Sequence, residues 1–355
     1  MKNFILIAGL MFSFSMTAQT KVVKMNAVKS NNFGVAYSLP LTTFTIDAEV
    51  TKITSKAGPY YKYAEKYLGV KDVITEDKVV FQLDKVTLEN KGIPDKENSY
   101  MVEFKSGTTA PFVYLTEEGL ICSINAEVDE SIFSADSTKK KKVVPAGINS
   151  TSVLSEELLM AGSTAKQAEV AAKQIYRIRE SRLNILTGEA DNLPPDGDAM
   201  KLVIEQLEQQ EKALTNLFTG VVTKESLQKQ FTIQPTGNME KEILFRFSEL
   251  MGIVDADNLG GAPVYINLTA TEKAPVLDPK EAEKKLKNMK GIIYNLPGKA
   301  TIEIKMNNKT LYQGEHQVTQ FGSQESLAPS MFEDKKAPVK VYFYPQTGAI
   351  KQIIQ

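Results

Sequence analysis

Cysteine, histidine and tryptophan are almost missing from this sequence. The 355 residues include one cysteine, Cys122, one histidine, His316, and no tryptophan. One cysteine cannot form an internal disulfide, and one Cys with one His cannot fill the usual ligand set of a zinc site without heavy use of carboxylates. A Cys–His or Ser–His–Asp site would have to use His316, and no Gly-x-Ser-x-Gly motif is present. These chemistries are disfavoured, and the fold must be stabilised by burial.

Glycine-rich phosphate-binding loops are also missing, and neither sign of charge dominates. The chain carries 42 Lys+Arg and 43 Asp+Glu, which gives a formal net charge of −1 at pH 7. Nucleic-acid binding usually shows a basic excess, and nucleotide binding usually needs a loop of this kind. We therefore predict no cofactor and no nucleic-acid partner. Hydrophobic residues at 42% and charged residues at 24% are near the averages of folded globular proteins.

The first residues have the three parts of a signal peptide. A basic start at Lys2 is followed by an apolar stretch at 4–16 and the small residue Ala18. A membrane-spanning helix would need about 20 apolar residues. We expect residues 1–18 to be removed by cleavage after Ala18. No cysteine follows for lipid attachment and no second apolar run of spanning length occurs, so we expect an unanchored periplasmic or secreted chain.

Alternating apolar residues predict strands on both sides of a central helical region. The pattern divides the chain into an N-terminal β-rich unit at 19–135, a linker or loop at 136–162, a helical hairpin at 163–220 and one or more C-terminal β-rich units at 221–355. The predicted strands are 35–50, 79–88, 100–104, 112–124 as a hairpin that turns at 117–119, 231–234, 243–247, 264–268, 292–294, 301–306, 310–318, 339–344 and 349–354.

Four helices are predicted from apolar residues spaced three and four apart. One is short and aromatic, two are long and form the hairpin, and one lies in the C-terminal region. A short Pro-Pro-Asp-Gly connection favours an antiparallel arrangement of the long pair. The short helix is expected to begin at Pro59 and to end at Gly69, and Ser163 or Thr164 is the expected cap of the first long helix. The second long helix is expected to begin at Asp196 and to end at Gly220, and the C-terminal helix to begin at Asp278 and to end at Gly291.

An internal repeat links the two β-rich regions. Gly34-Val35-Ala36-Tyr37-Ser38-Leu39-Pro40 is matched by Gly291-Ile292-Ile293-Tyr294-Asn295-Leu296-Pro297. Each region also ends in an aromatic-bearing strand and a turn glycine, Gly119 in one and Gly348 in the other. We infer a duplication. The predicted fold class is α+β, with two related β-rich units that flank an inserted antiparallel helical hairpin.

Two side chains with reactive chemistry have simpler structural interpretations. His316 is expected on a strand face with Tyr312 and Val318, where a semi-buried structural role is favoured over catalysis. Cys122 is interpreted as a buried small hydrophobe, because nothing around it indicates the exposed, electropositive setting of a reactive thiol.

Three tyrosines lie at helical spacing, namely Tyr60, Tyr63 and Tyr67. They could stack against sugars, but their spacing favours core packing. Three arginines lie close together on the first long helix, namely Arg177, Arg179 and Arg182. Positions 179 and 182 can share a face, which could receive an anionic group or pair with acids of the second helix; the second interpretation is favoured.

Acidic residues can serve as metal ligands or as catalytic acids. Counting from Asp255 places Gly260 correctly at position 6 of a calcium loop, but Leu259 and Ile266 occupy positions that need oxygen ligands. A turn is favoured there, and helix capping is favoured for Asp191, Asp196 and Asp198. A pair of carboxylates for glycoside hydrolysis cannot be identified from spacing.

Several segments together carry a family resemblance. They are Tyr37-Ser38-Leu39-Pro40, Gly58-Pro59-Tyr60-Tyr61 with Ala64-Glu65-Lys66-Tyr67-Leu68-Gly69, Ile178-Arg179-Glu180-Ser181-Arg182 through Thr187-Gly188-Glu189, and Leu217-Phe218-Thr219-Gly220. The chain resembles domain-of-unknown-function family 4831 over nearly its whole mature length. The resemblance implies an exported bacterial protein without an assigned activity, and it supplies no catalytic residue.

No residue is therefore assigned a catalytic, cofactor-binding or metal-binding role. We expect an exported soluble binding or scaffold protein of the bacterial cell envelope. Its partner would be an envelope protein or a glycan, and the helical hairpin could mediate self-association. The alternative is a carboxylate-based glycan hydrolase.

Overall fold

The structure is a computed structural model that describes residues 21–24, 34–103, 112–127, 155–191, 197–332 and 339–355. The predicted signal peptide at 1–18, its cleavage position after Ala18 and most of the predicted linker lie outside the described residues. The last part of that linker is described, and it contains the short helix Glu156–Met160 in place of a loop.

Thirteen strands and five α-helices are assigned in the described residues. The strands are β1 Lys21–Lys24, β2 Gly34–Lys56, β3 Lys78–Glu103, β4 Val113–Leu115, β5 Ile121–Ile124, β6 Val221–Ile233, β7 Met239–Ser248, β8 Gly252–Val254, β9 Ala262–Glu272, β10 Ile292–Met306, β11 Lys309–Leu327, β12 Lys340–Tyr344 and β13 Ala349–Ile354. The helices are α1 Ala64–Leu68, α2 Glu156–Met160, α3 Thr164–Thr187, α4 Asp198–Thr219 and α5 Pro279–Asn288.

The strands form three sheets and the fold is α+β. The strand orders are β1-β3-β2-β6, β11-β10-β9-β7-β8 and β13-β12-β5-β4. The hairpin of α3 and α4 lies between the β-rich regions, as predicted. The two regions share sheets, because β6 pairs with β2 in the first sheet and β12 pairs with β5 in the third.

The main core lies between the first and second sheets. Side chains alternate along a strand, so every second residue points to the same face. Phe44, Ile46 and Ala48 of β2 share such a face and are all fully buried. They belong to the same apolar cluster as Ile302 and Ile304 of β10. A second cluster combines the opposite ends of these long strands with the third sheet.

The helical hairpin has its own smaller core at its base. Ser163 caps α3 by accepting a hydrogen bond from the N–H of Lys166 at 3.3 Å, and Gly188 ends α3 in the left-handed conformation with φ 77°. The helix α4 begins after Gly197, so the predicted cap is displaced by one residue; Asp196 itself lies outside the described residues. At the other end of α4, Gly220 follows the last helical residue, as predicted.

Several predicted strands are longer in the structure, because segments that look separate are joined through β-bulges. The predicted strands 79–88 and 100–104 are both parts of β3. Between Ser38 and Pro40 the paired residues on β3 step from Ser99 to Pro94, so the one residue between them on β2 faces four residues on β3. The pairing of β10 with β11 contains the same irregularity, a step from Leu296 to Gly298 opposite one from Ser323 to Val318.

The two copies of the repeat occupy matching positions. The N–H of Ser38 donates to the carbonyl oxygen of Gly119 at 2.9 Å, and the N–H of Asn295 donates to that of Gly348 at 3.1 Å. Ser38 and Asn295 are equivalent positions of the repeat, and so are the two turn glycines. The duplication stays a prediction, which these matched contacts and the matched bulges support.

The hydroxyl of Tyr37 joins the two β-rich regions, and its removal should destabilise the fold. This buried group donates to the carbonyl oxygen of Ile293 at 3.1 Å and accepts from the N–H of Ile293 at 2.9 Å. Tyr37→Phe leaves both backbone groups buried without this partner, so we expect the free energy of unfolding to fall by about 2–4 kcal/mol. Denaturant titration measures it, with Tyr344→Phe, which removes an exposed hydroxyl, as the control. Equal losses in the two variants would contradict the proposed bridge.

Candidate functional site

A polar cleft lies where the two matching bulges meet. Its volume is about 260 Å³, and it is lined by the bulge residues of both long hairpins. Pro40, Asp95 and Asn98 come from the first hairpin, whereas Gln320 and Gln324 come from the second. This cleft could not be predicted from the sequence, because its sides come from segments about 200 residues apart. Its local signals are Pro40, Pro94 and Pro297, which interrupt otherwise strand-like stretches and mark breaks in the two ladders.

The first side of the cleft is organised by Asp95. One carboxylate oxygen accepts the N–H of Glu97 at 2.9 Å, and the other accepts the side-chain amide of Asn98 at 2.7 Å. The Asp95 side chain therefore shapes the bulge through hydrogen bonds within its own segment.

The two sides are connected by Tyr100 and Gln324. The Tyr100 hydroxyl donates to the Gln324 side-chain oxygen at 3.1 Å. Burial, with a smaller contribution from the charge of Asp95, raises the pKa of Tyr100 to about 12. Tyr100 thus remains a protonated hydrogen-bond donor at ordinary pH.

The remaining polar groups of the cleft fasten one strand to the next. Asn295 donates through its amide to the carbonyl oxygens of Pro40 at 3.1 Å and Thr347 at 3.0 Å. Gln320 donates to the carbonyl oxygen of Thr42 at 2.8 Å and accepts the N–H of the same residue at 3.2 Å. These side chains replace the backbone ladder that the bulges interrupt.

The chemistry of the cleft is that of amides and hydroxyls around one carboxylate, Asp95. Such groups suit a neutral polar ligand, which they can meet with both donors and acceptors. Most of them are already hydrogen-bonded to the protein itself, so their primary effect is to hold the two hairpins together.

His316 lies on β11 with its ring packed at an edge against Phe44, at 5.5 Å between ring centroids. Its Nε2 is hydrogen-bonded to the hydroxyl of Tyr312 at 2.5 Å. Burial lowers the pKa of His316 from its ordinary value of 6.5. These contacts are those expected of a semi-buried structural histidine next to Tyr312.

Cys122 is buried in the third sheet, with 1% of its surface exposed. Burial raises the pKa of its thiol to about 12. All four residues of β5 are buried, so both faces of this strand are covered and the apolar face does not distinguish Cys122. The thiol lies in a different sheet from His316.

The three tyrosines pack at the base of the helical hairpin. The segment forms a 3-10 turn Tyr61–Tyr63 followed by α1, which ends at Gly69, so the predicted helix is shorter and partly irregular. The Tyr60 ring lies 5.5 Å from that of Phe218, and the Tyr63 and Tyr67 rings pack against the same core. The core-packing interpretation is confirmed.

The arginines of α3 pair with acids of α4, as favoured. Arg179 Nε lies 2.6 Å from one carboxylate oxygen of Glu211, and Arg182 Nη1 lies 2.9 Å from the other. Arg182 also lies 3.7 Å from Glu208. These pairs cross-link the two helices about midway along the hairpin. Arg177 is exposed on α3.

The Asp255 segment forms a turn, as favoured, whereas the predicted helix capping is wrong for Asp191 and Asp198, because Gly197 is the N-cap of α4 and no side chain caps it. The N–H of Asn258 donates to the carbonyl oxygen of Asp255 at 3.1 Å, which closes a turn, and Asp198 lies in the first turn of α4. Asp191 lies in a bend after α3. In the part of the chain that the structure describes, no group of three His, Cys, Asp or Glu side chains is placed to hold a metal ion.

The second candidate surface is the distal half of the helical hairpin. Beyond the ion pairs, Leu183 and Leu186 of α3 are 59% and 65% exposed, and Leu202 of α4 is 58% exposed. The buried residues of the hairpin core are all nearer its base, from Ala168 to Ile175 and from Leu214 to Phe218. None of the helices in the described ranges has both the length and the apolar character to pass through a bilayer.

The burial of Cys122 predicts slow thiol modification. In the folded protein, we expect a soluble thiol reagent to react with Cys122 at least about a hundredfold more slowly than in denaturant, because the reactive thiolate is both inaccessible and disfavoured. Absorbance of the released chromophore measures both rates. Rapid labelling of the native chain at pH 7 would contradict this placement.

The lowered pKa of His316 predicts a loss of stability on mild acidification. The unfolded chain binds the proton more readily, so the stabilisation is present above pH 6.5 and is lost as the pH falls from 6.5 through the folded pKa. His316→Gln should lack this component while keeping a polar group near Tyr312. Denaturant titrations at a series of pH values compare the two chains, and identical pH dependence in both would exclude the effect.

No curated protein and no solved structure shows a significant match to this chain. One family model does match, over residues 33–351, and its description is Domain of unknown function (DUF4831). That range includes both β-rich regions, the hairpin and the cleft. The chain therefore belongs to the DUF4831 family.

Proposed function

We propose that this protein is an exported binding or scaffold protein of the bacterial cell envelope, and that its hairpin is the contact surface. The observation that carries the proposal is the exposure of Leu183 and Leu186 on a pair of helices whose core lies only at their base. The proposed export rests on the signal-peptide pattern of the first 18 residues, which ends at Ala18.

The geometry of the hairpin supports a role in presenting the distal leucines to a binding partner. Gly58 allows the chain to pass close to α4, since a Cβ there would lie 2.3 Å from the carbonyl oxygen of Leu217. The N–H of Tyr60 donates to that same oxygen at 2.8 Å. The base of the hairpin is thus fixed to the sheet layer, and the Arg182 and Glu211 side chains hold its two helices in register. A rigid pair of helices can present apolar side chains to a partner at little cost in conformational entropy.

We propose an envelope protein or a glycan as the partner. A protein partner of the hairpin could be a second copy of this chain. Exposed leucines on a helix face are suited to an apolar groove on another protein, which makes a protein the favoured class. A glycan would instead use the polar cleft around Asp95 and Gln324, whose amides and hydroxyls can exchange hydrogen bonds with sugar hydroxyls.

The competing proposal, a carboxylate-based glycan hydrolase, has no specific support from the cleft. That mechanism needs two carboxylates about 5–10 Å apart. Among the described residues that line the cleft, Asp95 is the one carboxylate. Its two oxygens already accept hydrogen bonds from the neighbouring bulge residues.

Aspartates at the two distal leucines should abolish partner capture. Leu183→Asp with Leu186→Asp places charge on the proposed contact surface, and because both side chains are exposed we expect the fold to survive. Quantitative capture from envelope extract should show a loss of about tenfold or more in the proteins retained. The matched control, Gln206→Asp with Gln209→Asp, makes the same charge change at exposed positions of α4. Unchanged retention by the leucine variant would refute the assignment of this surface.

A further inference from the structure

The strand β6 forms a long open edge of the first sheet. All of its thirteen residues pair with β2 on one side, and no strand in the described ranges pairs with its other side. Every residue from Val221 to Gln230 is exposed. A strand is usually about 5–6 residues long, and an unpaired edge presents a row of backbone donors and acceptors to any strand that can align with it.

Two pairs of side chains along this edge are arranged symmetrically about Leu227. Glu225 lies two residues before it and Lys229 two residues after it, and all three point to the same face because side chains alternate along a strand. Apolar residues, Val221 and Ile233, lie six residues away on either side. At these two pairs of positions the strand is complementary to its own sequence read in the opposite direction.

We propose that a second copy of this chain pairs with β6 in antiparallel register, with the two-fold axis at Leu227. Glu225 of each copy then lies opposite Lys229 of the other, which forms two cross-strand ion pairs. Val221 lies opposite Ile233 at both ends. A two-fold interface uses the same patch on both copies, so self-complementarity of this kind is what it requires.

The charges select this register over its neighbours. If the axis moved one residue to Ser226 or Gln228, both ion pairs would be lost. If it moved two residues, to Glu225 or Lys229, like charges would lie directly opposite each other, which is destabilising. The Leu227 register is thus favoured electrostatically.

The existing contacts leave these charges available. Glu225 lies 3.7 Å from Lys52 and Lys229 lies 3.5 Å from Asp255, and both of these ion pairs are solvent-exposed. Exposed pairs of this kind contribute little, so they do not hold the two side chains against a cross-strand partner. The two sheets would join into one continuous sheet of eight strands, with no open edge at its centre. This inference is independent of the hairpin contact.

Charge reversal tests the register, and sedimentation velocity over a concentration series measures the dimer. Glu225→Lys and Lys229→Glu should each raise the dimer dissociation constant by about tenfold or more, because each places like charges opposite each other twice. The double variant E225K/K229E keeps the net charge of the native chain and should restore the dimer, since each reversed residue again faces its opposite.

The matched control is Lys224→Glu, which changes the charge at an adjacent exposed position on the other face. In the proposed register Lys224 lies opposite Gln230, so this variant should dimerise like the native chain. Thermal unfolding confirms that each variant is folded. A monomeric native chain, failure of the double variant to restore association, or equal weakening by Lys224→Glu would each overturn the proposal. A dimer abolished by the Leu183 and Leu186 aspartates but unaffected by charge reversal would assign self-association to the hairpin instead.

Discussion

The Tyr37 hydroxyl and the carbonyl and N–H of Ile293 meet at a position closed to water, and the arrangement of the two long hairpins depends on this contact. Bulges interrupt both ladders near this point, so backbone groups that would otherwise pair need other partners. Asn295 and Gln320 supply them. The polar cleft follows from this requirement. Side chains that hydrogen-bond the unpaired backbone groups of the two ladders must be polar, and they must point toward the same place. The amides of the cleft therefore reflect structural necessity first, and any ligand would compete with bonds already made.

Burial explains why Cys122 and His316, the two side chains with reactive chemistry, favour their neutral forms. Cys122 and His316 are both held in apolar surroundings that favour their neutral forms, and the two lie in different sheets. The Arg182 guanidinium is engaged with two acids of the facing helix. Among the described residues, the surfaces with unmet interactions include the distal hairpin and the edge of β6 that no described strand pairs with. Contact with other macromolecules through these two surfaces is the role that we propose for the protein.

Those two surfaces differ in the physics of recognition. The distal leucines offer apolar area without directional bonding, so shape complementarity would select the partner that we propose for them. The β6 edge offers backbone hydrogen bonds that any strand could satisfy, so its selectivity must come from side chains such as Glu225 and Lys229. An edge of this length is also an aggregation risk, and a defined pairing with a second copy is one way to remove that risk.

The sequence by itself determined the α+β class, the helical hairpin with its Ser163 cap, the core packing of the Tyr60 face and the pairing of Arg179 with the second helix, because each depends on local periodicity or on neighbours within one hairpin. Only the tertiary structure decided that β6 and β12 complete sheets begun by the N-terminal region, that separate-looking strands join through bulges, and that Asp95 and Gln324 line one cleft. The physical reason is that strand pairing between distant segments depends on backbone hydrogen bonds, in which every residue type can accept and every residue type except proline can donate, so the sequence carries little information about which strands will meet.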